Sequence, residues 1–291
     1  MTGFSLPSGL WLGRVWRAGI GPSLVTLRAG HVVDITSTAA PTMRDLLELP
    51  DIAGFVASQP GEDLGLLETL FPGSVEAAGD TFRLLAPCDL HAIKACGVTF
   101  ARSMVERVIE ERAAGNPALA AEIRARVAGV IGDRLRDVEG RSALLLGKAK
   151  DNNAAASVGP FIRLFDADFT LDSVRGLELT LTVTGKDGFG LQGASSMRQI
   201  SRDPADLVTQ TRGRHHQYPD GFVLYCGTMF SPVQDRDGPG QGFTHHLGDV
   251  VTISAPELGS LTNIVRLATE APEWRFGTGA LMRNLAARQL L

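Results

Sequence analysis

Between Arg136 and Pro160 the chain reads RDVEGRSALLLGKAKDNNAAASVGP, a charged start, a short apolar run from Ala143 to Leu146, and then Gly147-Lys148-Ala149-Lys150-Asp151-Asn152-Asn153. Two ammonium groups, a carboxylate and amides at one turn can grip a polar ligand. A solvated loop is the commoner use of such a composition. Ser103-Met104-Val105-Glu106 matches a capping box, and Glu106 and Glu110 then share one helix face. A carboxylate pair of this kind can work as general acid and base, although Arg107 and Arg112 also suit a solvated face. His215-His216 and His245-His246 offer imidazoles that could activate water, and paired histidines in polar loops more often lie at the surface. Cys88, Cys96 and Cys226 show no metal-ligand spacing and suit buried thiols in a reducing cytoplasm.

The elements that must position these groups follow from pattern. Leu12–Trp16, Leu24–Leu27 and His31–Ile35 are short strands separated by Gly, Pro and Ser. Thr42 caps a helix that Pro50 stops. Phe82–Pro87 leads into a boundary, and His91–Phe100 is an apolar element closed by Gly97. The helix opened by Ser103 runs to Gly115, and Asn116-Pro117 begins a second, from Ala118 to about Val130. From Phe161 the texture turns to strands. Leu177–Thr184 alternates apolar and polar residues, with Gly185-Lys186-Asp187-Gly188 as its hairpin turn. Pro204–Gln210 is a helix, and Pro219-Asp220-Gly221 a turn into a buried strand, Phe222–Cys226, that ends at Gly227-Thr228. Gly248–Ser254 and Leu258–Val265 are two further strands. Strands ending in small or hydroxyl residues suit a ligand at a sheet mouth.

The 291 residues are enough for one large or two modest domains, divided here into a small unit over 1–85 and a larger one over 86–291. A net charge of −4 with no long basic run argues against nucleic acid. No apolar stretch reaches the roughly 20 residues of a membrane span, and the N-terminal residues lack a secretory pattern. The expectation is a cytoplasmic protein.

The order of these pieces resembles the fumarylacetoacetate hydrolase superfamily. The resembling residues are Ala95–Phe100, the lysine-bearing turn before Val158-Gly159-Pro160, Ser195-Ser196-Met197, Asp220-Gly221-Phe222 leading to Gly227-Thr228, and the Gly248–Val251 and Leu258–Val265 ending. Gly97–Phe100, Ser103, Glu106-Arg107 and Glu139–Asn153, with Leu281–Arg288 near the other end, look most like the branch that dehydrates 2-keto-3-deoxy sugar acids such as the xylonate and arabinonate. The resemblance implies an α+β protein: a β-rich fumarylacetoacetase-like fold, a mixed β-sandwich or roll, preceded by a small α/β domain. It implies magnesium or manganese, a small 2-oxo acid substrate and a homodimer. It also assigns roles. Lys150 is the lysine beside the ion, with Lys148 as the fallback. Ser103 and Glu106 lie on the helix facing the substrate. Thr228, Ser196, Gly227 and Arg141 fall at or beside substrate-contacting positions.

The pattern is broken at one place. The Glu-x-Glu pair and the later Asp that hold the ion in this family are not found. Asp133-Arg134-Leu135 runs straight into Arg136-Asp137, as if strands were missing between about 133 and 137. Residues omitted from the sequence, a deletion, or a naturally shortened chain would each produce this. Asp137 and Glu139 are substitute ligands without a third partner. Three functions follow as expectations: a metal-dependent dehydratase of a 2-keto-3-deoxy pentonate giving 2-oxoglutarate semialdehyde; a fumarylacetoacetate- or acylpyruvate-type carbon–carbon hydrolase; or a metal-poor, non-catalytic relative that binds an acid or a partner.

Overall fold

The computed structural model describes residues 6–71, 80–97, 99–100, 153–239 and 241–291, with isolated positions between 105 and 123. Among the described residues the chain forms three sheets and six α-helices, an α+β architecture.

The first sheet is built on β1 (Trp11–Arg17), β2 (Gly21–Arg28) and β3 (His31–Asp34), an antiparallel meander. The turn from β2 to β3 has two residues, and both Ala29 (φ 49°) and Gly30 (φ 82°) are left-handed. That turn type matches the twist of the strands it joins. β4 (Glu62–Leu66) extends the edge beyond β3, and β5 (Arg83–Leu85) pairs with Arg14–Trp16 of β1. The rest of β1, Trp11–Gly13, pairs with β7 (Phe161–Arg163), so a strand from much later in the chain completes this sheet.

Both faces of the sheet are covered. Leu12, Leu24, Val33 and Ile35 pack on one side against Met43 and Leu46 of α1 (Met43–Leu47) and Val56 of α2 (Ile52–Ser58). Val15, Val25 and Val32 pack on the other side with Leu67 of α3 (Leu67–Leu70). Thr42 caps α1 as its sequence predicts, its hydroxyl accepting from the Asp45 amide at 3.1 Å. Asp89, far along the chain, accepts from the Met43 and Arg44 amides at 2.6 and 3.2 Å.

The second sheet is the parallel pair β6 (Ala92–Ala95) and β10 (Phe222–Tyr225). The third runs β12 (Gly259–Ile264), β11 (Val250–Ala255), β8 (Glu178–Thr184), β9 (Gly190–Ser196). Helices α4 (Leu171–Gly176) and α5 (Pro204–Thr211) flank these strands. Phe100, Phe169, Leu177, Met197 and Ala255 form their shared core. The last helix, α6 (Thr278–Ala287), returns to the first sheet, where Asn284 Nδ2 donates to the Ile20 carbonyl at 2.7 Å.

Two expectations differ in degree. Phe222–Tyr225 is half-buried throughout, not a buried strand, because a two-stranded ribbon cannot cover its own faces. The three cysteines are likewise half-buried.

Candidate functional site

The parallel ladder ends with β6 running into Cys96 and Gly97 and β10 into Cys226 and Gly227. The Cys96 amide donates to the Tyr225 carbonyl at 2.8 Å. The hydroxyl of Thr99, 4% exposed, donates to the Cys226 carbonyl. The Thr99 carbonyl accepts from the Ser201 amide at 2.8 Å. Thr99 thus fastens both strand ends to the segment that precedes α5.

Gly227 is required by this closeness. Its φ is +112°, and an added Cβ would run into Thr99 Oγ1 and approach the Gly97 carbonyl oxygen to 2.8 Å. Only a residue without Cβ fits there at no steric cost. Gly97, by contrast, has nothing within 4 Å of a Cβ position. Thr228 follows, half-buried, at the open end.

The chain then crosses β9. Ser195 Oγ donates to the Met229 carbonyl at 2.8 Å, and the Phe230 ring lies over Gly193. Ser196 points to the opposite face, because side chains alternate along a strand. Its hydroxyl donates to Glu178 Oε1 at 2.5 Å and accepts from the Arg198 amide at 3.2 Å. The sequence could place a serine at this step, but only the register says which of the two looks toward Thr228.

On the other face of β10, Tyr225 Oη donates to the Ser157 carbonyl at 2.7 Å, and Ser157 Oγ meets Asn263 Oδ1 of β12 at 2.9 Å. Burial raises the Tyr225 phenol above its ordinary pKa. The segment around Ser157, which follows Lys148 and Lys150 in sequence, is therefore tied to β10 and β12. Tyr225 and Thr99 went unnoticed in the sequence. Their roles come from pairing between remote segments, which no local pattern announces.

Of the residues singled out from sequence, Thr228 and Gly227 come together at the mouth, with Ser196 turned away across β9. Lys150, Lys148, Arg141, Ser103, Glu106, Glu110, Asp137 and Glu139, and the break between about 133 and 137, lie outside the described residues.

The histidine pairs are exposed or half-exposed. His245 and His246 join a charged network around Arg236, whose side chain is 2% exposed. Arg236 bonds both oxygens of Asp249 at 2.5 and 2.9 Å and reaches Asp187 at 3.0 Å. This guanidinium holds the Asp249 carboxyl well below the usual carboxylate range. His246 Nε2 lies 2.9 Å from Asp237, and His245 Nδ1 3.6 Å from Asp249. The network pins the loop before β11 to the β8–β9 turn. Arg236 takes up the Asp187 and Asp249 carboxylates, which leaves them poorly placed to receive a metal.

The fit to a divalent ion can be tested directly. Among the described residues no three His, Cys, Asp or Glu side chains are grouped to hold one. The described residues do not fit the ion that the resemblance implies. A cavity of about 470 Å³ lies elsewhere, lined by Leu6, Pro7, Thr180, Ser254, Ala255, Pro256 and Gly259. None of its polar groups is charged. Among the described residues no helix is long and apolar enough to cross a membrane.

No family model matches the sequence, and no curated protein does. Solved structures do. The chain is similar to 2-keto-3-deoxy-D-arabinonate dehydratase complexed with magnesium and 2,5-dioxopentanoate. The match has 15% identity and a TM-score of 0.54 over 88% of this chain and 98% of that one. A fumarylacetoacetate hydrolase from the psychrophilic Exiguobacterium antarcticum matches at 14% identity and TM-score 0.49, over 89% of this chain and 99% of that one. At 15% identity the likeness to the dehydratase is one of fold, and it agrees with the resemblance read from the order of the sequence pieces. The chain has the fold seen in 2-keto-3-deoxyarabinonate dehydratase.

Proposed function

We propose that the protein is a lyase that removes water from a 2-keto-3-deoxy pentonate, giving 2-oxoglutarate semialdehyde, which is 2,5-dioxopentanoate. The observation that supports this most is the strand mouth: Thr228 and the backbone around Gly227 beside a segment, tied down at Ser157, that directly follows the Lys148–Lys150 turn. A small anionic acid suits hydroxyls and backbone amides at strand ends.

Dehydration needs a proton taken from the carbon beside the carbonyl and a hydroxyl expelled further along. The enolate charge formed between these steps must be offset. In this reading the Lys150 ammonium supplies that offset by electrostatics. Glu106 moves the proton, and Ser103, Thr228 and Arg141 hold the acid. Lys148 is the second cation, and Ser196 acts only through the shape of β9. A divalent ion would add Lewis acidity. Among the described residues no three side chains are grouped to hold it, and the steps above are those of the chain's own groups.

Proton NMR of the purified protein with each epimer of the acid, with and without magnesium, tests the reading. Growth of 2,5-dioxopentanoate signals supports it. Absence of that product from every sample, or loss of a diketo acid chromophore in a parallel ultraviolet assay, points to another chemistry.

A further inference from the structure

The ends of β6 and β10 also carry two thiols side by side. Ala95 lies opposite Tyr225 in the parallel ladder, and the Cys96 amide continues the pairing onto the Tyr225 carbonyl at 2.8 Å. Cys96 and Cys226 each follow directly on the last paired residues, so extending the register by one step sets them across from each other. Partners in register project from the same face of a sheet. Adjacent strands lie about 4.7–4.9 Å apart, inside the roughly 4.4–6.8 Å between Cα atoms that a disulfide spans. Both thiols are free and half-buried.

Their surroundings distinguish them. Burial raises both above the ordinary thiol range. Arg202 pulls Cys96 back down, while the charge of Cys96 pushes Cys226 further up. Arg202 is placed to favour a thiolate at Cys96. Cys88 lies before β6, with its carbonyl held by the Arg14 guanidinium.

We propose that Cys96 and Cys226 are a redox pair that closes into a reversible disulfide at the strand mouth, with a peroxide as oxidant. The Cys96 thiolate attacks one oxygen of hydrogen peroxide and breaks the O–O bond. The sulfur becomes a sulfenic acid, oxidised by two electrons, and hydroxide leaves and is protonated to water. The Cys226 thiol then attacks that sulfur, gives up its proton and expels a second water. Two thiols and one peroxide become one disulfide and two waters. The new bond lies one residue before Gly97 and Gly227 and beside the Cys226 carbonyl that Thr99 grips, so it alters the part of the chain that frames Thr228. The regulatory consequence, weaker oxo-acid binding in the oxidised protein, rests on the functional reading above.

The test is peptide mapping of the full chain without reductant, after treatment with hydrogen peroxide. The expected result is a loss of two hydrogens, a Cys96–Cys226 cross-linked peptide, reversal by dithiothreitol, and about tenfold weaker binding of the 2-keto-3-deoxy acid. In Cys226→Ser the reaction should stop at a Cys96 sulfenic acid that dimedone traps. All three thiols remaining free after peroxide, or a cross-link through Cys88, would overturn the proposal. Formation of the Cys96–Cys226 bond in a protein whose reduced form binds no oxo acid would support the redox pair and count against the functional reading.

Discussion

The first sheet and the β6/β10 ribbon use similar residues to opposite ends. In the first sheet Leu12, Val15, Val25 and Val32 are wholly buried, with apolar layers on both faces. In the ribbon every residue of β10 is half-buried and Ile93 of β6 is 50% exposed. Parallel strands are usually covered on both faces by other elements. A short parallel pair left half open contributes little core, and its strand ends at Gly97 and Gly227 stay partly accessible. The first sheet is a platform for stability, and the ribbon is where the proposed function places its ligand.

The contrast is broken most severely by cavities. Leu12→Ala, in the fully buried layer, should cost about 2–5 kcal/mol of stability, whereas Ile93→Ala should cost less than about 1 kcal/mol. Urea titrations of the two variants check this. Similar losses would mean that the ribbon belongs to the core. The second effect sets function against stability. Gly227→Ala, which strains a left-handed backbone and meets Thr99, should weaken oxo-acid binding about tenfold or more and destabilise by roughly 1–3 kcal/mol. Gly97→Ala, with open space around its Cβ position, should change neither. Calorimetric titration of both variants separates them.

The third effect is in pH. Burial lowers the His91 pKa below its ordinary value. Below about 6.5 the unfolded chain takes up a proton that the folded protein takes up only at lower pH. Stability should therefore fall as pH drops from 7 toward 5, and His91→Asn should flatten that decline. Asp249 is shifted in the same sense, with the same direction of loss at lower pH. Its stabilisation is present above about 3.9 and disappears as pH falls through its depressed folded value. Melting temperatures across pH should show two acid limbs, the lower one missing in Asp249→Asn. The smallest effect is Tyr225→Phe. It removes the bond to the Ser157 carbonyl and should cost about 0.5–1.5 kcal/mol, with a measurable rise in the KM for the acid if the tie positions the lysine turn.

Much of this architecture is legible locally. The β1–β3 strands, Thr42 as a cap, the alternation of β8 and its Gly185–Gly188 turn all follow from period and turn chemistry. Other features are not local. β7 joining β1, α6 returning to the Ile20 carbonyl, and β6 pairing with β10 unite segments far apart in sequence, and such pairings leave no trace in a short window. The same limit governs the site. Gly227-Thr228 could be found because a glycine and a hydroxyl end a strand. Thr99 acts through a carbonyl on a distant strand, and Ser195 differs from Ser196 only by which face of β9 the register assigns.

The central claim is that a 2-oxo acid is met at the end of the β6/β10 ribbon and not in the cavity beside Leu6. Backbone amide NMR, recorded while the reduced protein is titrated with a 2-keto-3-deoxy pentonate, tests it most directly. Saturable shifts centred on Thr99, Gly227, Thr228 and Tyr225 are predicted. Shifts centred on Thr180, Ser254 and Gly259, or no saturable shifts at all, would contradict it.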